Sequence, residues 1–175
     1  MCGNRWEAER VIVVVMGVSG SGKSTLAAAL VAETGWDFAE GDEYHSPENR
    51  AKMNAGTPLT DADRGPWLDA LHAVIAAWNF AGVSGILTCS ALKRSYRERL
   101  VAGLEGIRFV WLDPPRTMLE DRLHHRTGHY MNPNLLGSQL DALEPPGEGE
   151  ALRLTGGEPV EQLAAQVLKW VAVSA

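Results

Sequence analysis

The chain has 175 residues, 45% of them apolar and 22% charged, with a formal net charge of −6. That composition belongs to a globular protein long enough to bury an adequate core in one domain, and its acidic balance argues against a nucleic-acid binder. No apolar run is long enough to span a membrane, and the two cysteines, Cys2 and Cys89, form neither a disulfide framework nor a zinc-ligand spacing, so a reducing, cytoplasmic setting is expected.

Residues 1–10 are polar, carry no signal-peptide pattern and read as an N-terminal tail, leaving 11–175 as a single domain. Residues 11–16 are a continuous apolar, β-branched run, as expected of a strand buried on both faces. Gly17-Val18-Ser19-Gly20-Ser21-Gly22-Lys23-Ser24 follows, with Thr25 after it, and then a stretch of good helix formers. This is the G-x-x-x-x-G-K-S phosphate loop in its required strand–loop–helix context. Gly17 and Gly22 let the backbone curl around a phosphate, and successive N–H groups converge on the anion at a helix start. Lys23 is expected to reach the β- and γ-phosphates of ATP, and the Ser24 hydroxyl to ligate Mg²⁺.

A short second strand over 36–40 ends in Glu40-Gly41-Asp42. Two carboxylates at one strand end can divide labour beside Mg·ATP. Glu40 can orient the metal through water while Asp42 accepts the proton of a substrate hydroxyl. The competing reading is a solvated turn, since Gly-Asp is common turn chemistry. His45 and Arg50, close after Asp42, suit a small hydroxylated substrate. A short helix is expected over 47–55 with Ser46 as its cap, then a turn-rich connection over 57–64 containing Arg64. Pro66 is expected to open a long helix that Gly82 closes.

Residues 85–89 form the third strand, followed by Ser90 and a basic helix with Lys93, Arg94, Arg97 and Arg99. Cations beside a phosphate site suggest an anionic second substrate, although a solvated face paired with Glu98 explains them equally well. Residues 107–112 form the fourth strand. A helix over 116–125 places Arg122 on one face with Arg126, where arginines can stabilise charge on a transferring phosphoryl group. His124, His125 and His129 lack the partners for zinc and read as polar lid residues. A short helix over 135–143, an acidic turn over 144–150, a weak fifth strand over 151–154 and an amphipathic helix from Pro159 complete the chain. Five strands alternating with helices imply an α/β fold with a parallel sheet covered on both faces, and its ligands belong beyond the strands' carboxyl ends.

The motifs accumulate toward one family. Beyond the phosphate loop, the chain carries Glu-Gly-Asp-x-x-His at 40–45, Gly-x-Pro-Leu-Thr-Asp-x-Asp-Arg-x-Pro-Trp-Leu at 56–68, Cys-Ser-Ala-Leu-Lys-Arg-x-Tyr-Arg at 89–97 and Arg-x-x-His-Tyr-Met at 126–131. Over roughly 11–170 it resembles the gluconate kinases, small P-loop kinases related in fold to shikimate kinases. Tyr130 stands where that family more often has phenylalanine. The resemblance implies a three-layer αβα sandwich, a five-stranded sheet in the order 2-3-1-4-5, a helical lid over about 122–143 and a homodimer. It implies ATP- and Mg²⁺-dependent phosphorylation of D-gluconate at its 6-hydroxyl, giving 6-phosphogluconate. By the same likeness 17–25 hold ATP, Arg122 and Pro159 flank adenine, Asp42 meets the sugar acid and Arg126–Met131 belong to the lid. The substrate carboxylate needs a cation, with Lys93, Arg97, Arg64 and His45 as candidates, and Ser90 and His129 complete the expected acceptor site. Two alternatives stay open: a kinase for another small acceptor such as shikimate, and a slow ATPase acting as a nucleotide-dependent switch.

Overall fold

The computed structural model describes residues 10–125 and 133–173. Residues 1–9 of the tail expected over 1–10, and Arg126, His129 and Tyr130, lie outside the described residues. In chain order the elements are β1 (Ile12–Met16), α1 (Lys23–Thr34), β2 (Asp37–Glu40), a 3₁₀ turn (Gly41–Tyr44), α2 (Pro47–Asn54), α3 (Asp61–Ala81), β3 (Gly85–Cys89), α4 (Arg94–Val101), β4 (Ile107–Leu112), α5 (Arg116–His125), α6 (Pro133–Ala142), β5 (Ala151–Leu154) and α7 (Val160–Val173).

The strands form one parallel sheet in the order β2-β3-β1-β4-β5. In β1, successive side chains point to opposite faces and both faces are buried, which is why the run is apolar throughout. Val13 and Val15 pack with Leu26 and Leu30 of α1 and Val167 and Leu168 of α7. Ile12, Val14 and Met16 pack the other way, onto Leu71 and Ile75 of α3 and Leu100 of α4. The result is three layers, and truncating a fully buried side chain such as Leu71 to alanine would cost about 2–5 kcal/mol. A smaller cluster of Val18, Leu92, Leu119 and Leu136 seats α5 and α6 beside the loop that follows β1.

The register brings the carboxyl ends of the central strands together. Met16 pairs with Cys89 across β1–β3, and Glu40 pairs with Thr88 across β2–β3. The start of α3 differs from the sequence expectation. The helix begins at Asp61, not Pro66, because Thr60 and Asp63 form a reciprocal capping box that satisfies the first orphan N–H groups. Pro66 therefore sits inside the helix, and Arg64 belongs to its first turns rather than to a loop.

Candidate active site

The loop between β1 and α1 is shaped by its glycines. Gly17 has φ 145°, and a Cβ there would lie 2.6 Å from the Leu112 carbonyl oxygen and 2.8 Å from Ser21 Oγ. No other residue fits that position, and the Gly17 N–H donates to the Ser90 carbonyl at 3.3 Å, tying the loop to the end of β3. Lys23 Nζ donates to the carbonyls of Gly17 and Val18, each at 3.1 Å. Ser21 Oγ is buried with no hydrogen-bond partner, an orphan that an incoming anion would satisfy.

The loop separates two concavities. On one side a cavity of about 450 Å³ is lined by Gly20, Ser21, Gly22, Thr25, Arg122, Gly156, Glu158 and Val160. Arg122 donates to the Ser21 carbonyl at 3.1 Å, so α5 is fixed against the loop. Pro159 immediately precedes α7, between two lining residues, and accepts from the Gln162 and Leu163 N–H groups through its carbonyl. On the other side a narrower cleft is lined by Ser19, Lys23, Asp42, His45, Arg64, Ser90, Leu135 and Gln139.

The end of β2 is held at that cleft by close packing. A Cβ on Gly41 would lie 2.0 Å from the Thr88 carbonyl oxygen, so only glycine allows this approach. The Gly41 N–H donates to Thr88 Oγ1 at 3.1 Å, and its carbonyl accepts from Trp67 Nε1 at 2.8 Å. Glu40 accepts from the Ser24 hydroxyl at 2.7 Å and from the Thr88 hydroxyl. This pairing of a hydroxyl and a carboxylate at the start of α1 is an all-oxygen donor set, and it fits a hard divalent cation that keeps most of its water. Among the described residues there is no cluster of three His, Cys, Asp or Glu that could cage a metal by themselves.

Electrostatics distinguish the polar groups. His45 is 6% exposed and stacks on Trp67. Burial lowers its pKa to about 4; Asp42 opposes that shift, while Arg64 and Arg50 reinforce it. His45 is therefore neutral at pH 7, a hydrogen-bonding group and not the cation expected of it. Burial likewise pushes the Cys89 thiol up to about 12, which suits the packing role expected for it.

Not every predicted site residue converges. Lys93 Nζ is committed to Asp61 at 2.8 and 3.0 Å. Arg50 turns back to the carbonyls of His45 and Glu43. Arg97, expected at the substrate, is 2% exposed and lies beneath the β3–α4 junction, paired with Glu150 at 2.5 Å. Its guanidinium faces inward because Tyr96, Arg97 and Leu100 form the buried side of α4. Arg64 is the arginine that lines the cleft. Gln139 was not among the expected site residues, although it lies in the family-like stretch Leu-Leu-x-Ser-Gln-Leu at 135–140: its side-chain carbonyl accepts from the Ser19 N–H at 2.7 Å.

The chain is similar to known proteins over most of its length. The family described as an AAA domain matches residues 12–146. The chain is 51% identical to a gluconokinase of Gluconobacter oxydans over 146 residues, 83% of this chain and 82% of that protein. A crystal structure of a sugar kinase from Janibacter superposes with a TM-score of 0.87 at 48% identity, covering 93% of this chain and 95% of that one. A gluconokinase from Sinorhizobium meliloti gives 0.84 at 42% identity, covering 94% and 93%.

Proposed function

The chain belongs to the gluconokinase family of P-loop kinases, and from that premise we propose that it transfers the γ-phosphoryl group of ATP to the 6-hydroxyl of D-gluconate, giving 6-phospho-D-gluconate and ADP. The observation that carries the reading of the site is that Lys23 and Asp42 line one cleft, on the acceptor side of the phosphate loop.

The chemistry then assigns roles. The loop N–H groups and Lys23 hold the β- and γ-phosphates, while the adenosine end occupies the larger cavity beside Arg122 and Pro159. Asp42 orients the 6-hydroxyl and takes its proton as the new O–P bond forms and the bond to the ADP oxygen breaks. Ser24 and Glu40, through water, would hold Mg²⁺, which supplies neutralisation of the phosphate charge when bound. Arg64 meets the substrate carboxylate, and neutral His45 and Ser90 hydrogen-bond its hydroxyls. Arg126 supplies a further positive charge to the phosphates, and His129 contacts the acceptor; both belong to the proposed lid over about 122–143. No helix among the described residues is long and apolar enough to cross a membrane. We place the enzyme in the cytoplasm as a homodimer, acting on the small-molecule acceptor alone.

An ADP-release assay with gluconate, shikimate, a nucleoside monophosphate and no acceptor tests this. Release that depends on gluconate is expected. Equal release without acceptor would favour the slow ATPase, and release with shikimate alone would move the acceptor.

A further inference from the structure

Ala91 follows the acceptor-side Ser90 and has φ 44°, the only non-glycine with positive φ among the described residues. It is 0% exposed, so a conformation disfavoured for any residue with a Cβ is locked into the core at the cleft wall. What surrounds it must hold it there. Arg97 Nη1 donates to the Ala91 carbonyl at 3.2 Å, to Leu92 at 3.3 Å and, across the chain, to Glu144 at 3.0 Å. Its Nε donates to Glu150, whose other carboxylate oxygen accepts from the Gly147 N–H at 2.8 Å. The Glu144 N–H in turn donates to the Leu92 carbonyl at 2.8 Å. One guanidinium thus gathers the carbonyls of the left-handed turn and of the segment leaving α6.

Both connections lead to the reaction site. Ser90 precedes the turn, and its carbonyl receives the Gly17 N–H of the phosphate loop. Glu144 follows α6, which carries Gln139 against Ser19 of the same loop. We propose that Arg97 is a positioning residue that holds the Ala91 turn left-handed, and thereby aims Ser90 into the acceptor cleft and keeps Gly17 on its carbonyl partner. Its function as an acceptor-side positioner rests on the gluconate kinase reading; the brace itself does not. A buried ion pair is weak evidence for stability, so the three carbonyl bonds to Arg97 are better explained by the geometry they impose than by an energetic gain.

The test uses Arg97→Lys, which keeps a charge opposite Glu150 but loses the planar fork, and the neutral pair Arg97→Met with Glu150→Gln, each with and without Ala91→Gly. Glycine adopts the left-handed turn without penalty, so it should relieve the need for the brace. In the single and paired variants the gluconate KM is expected to rise about tenfold or more, a larger change than the loss of ATP affinity that loosening Gly17 brings, read by calorimetry. Adding Ala91→Gly should bring the gluconate KM back to within about threefold of the parent. Hydrogen exchange of the Gly17 and Glu144 amides should quicken about tenfold in Arg97→Lys and slow again with Ala91→Gly. An unchanged KM and unchanged exchange, or losses that glycine does not recover, overturn the proposal. If the parent protein does not phosphorylate gluconate, the acceptor assignment fails, while the exchange measurement still decides the brace.

Discussion

The imidazole of His45 lies flat on the indole of Trp67, ring centroids 4.3 Å apart and planes 16° from parallel, and buries its Nδ1 without a hydrogen-bond partner. Burial is the main reason its pKa falls to about 4. Between the ordinary value of 6.5 and about 4, an unfolded chain binds a proton here that the folded chain does not. Stability must therefore fall with falling pH across that window and be independent of this group above it. His45→Phe keeps a ring on Trp67 and cannot titrate. Urea unfolding between pH 7 and 4 should lose this share of the acid slope in the variant, and an identical slope would refute the assignment.

Arg64 is the arginine lining the acceptor cleft, beside Asp42 and His45. A charge-assisted contact to the gluconate carboxylate contributes roughly 1.5–3 kcal/mol, so Arg64→Met should raise the gluconate KM by about 10- to 100-fold. Calorimetric ATP affinity should stay near the parent's. A fall in ATP affinity with no change in gluconate KM would place Arg64 on the wrong substrate.

Ser24 donates to Glu40 at 2.7 Å, and Glu40 is fixed from behind by Thr88. Glu40→Gln keeps the shape and removes the charge. It should raise the Mg²⁺ concentration for half-maximal turnover by about tenfold at saturating ATP and gluconate, a loss of about 1.4 kcal/mol. An unaltered Mg²⁺ titration would remove Glu40 from the metal's surroundings.

The capping box makes a stability prediction. Thr60→Ala removes the acceptor for the Asp63 N–H and should cost about 1 kcal/mol, read as a lower urea midpoint with an unchanged slope. A neutral result would mean that α3 is held by its core contacts alone.

That helix start also shows how far residues alone could be read. The phosphate loop, the five strands and the Glu40–Asp42 strand end were legible because each depends on local chemistry: glycines that must lack a Cβ, apolar runs buried on two faces, and carboxylates beyond a strand. Strand order came only from the family resemblance, since no local pattern encodes which strands become neighbours. Pro66 was misread as a helix start because proline favours a first turn, whereas Thr60 and Asp63 already formed a stronger cap upstream. Arg97 was misread because a basic cluster at a strand end looks like an anion site. Its partner Glu150 lies 53 positions away in an acidic turn, and only the fold joins them. The contact of Gln139 with Ser19, 120 positions away, was hidden for the same reason.

We propose that Asp42, at the end of β2, takes the acceptor's proton while the glycine loop holds the phosphates. Asp42→Asn preserves size and removes the base. Single-turnover transfer from radiolabelled ATP to gluconate, with nucleotide affinity measured on the same preparation, tests it most directly. Transfer slowed by about 10²–10⁴-fold with ATP affinity intact is expected. Transfer at the parent rate would contradict it.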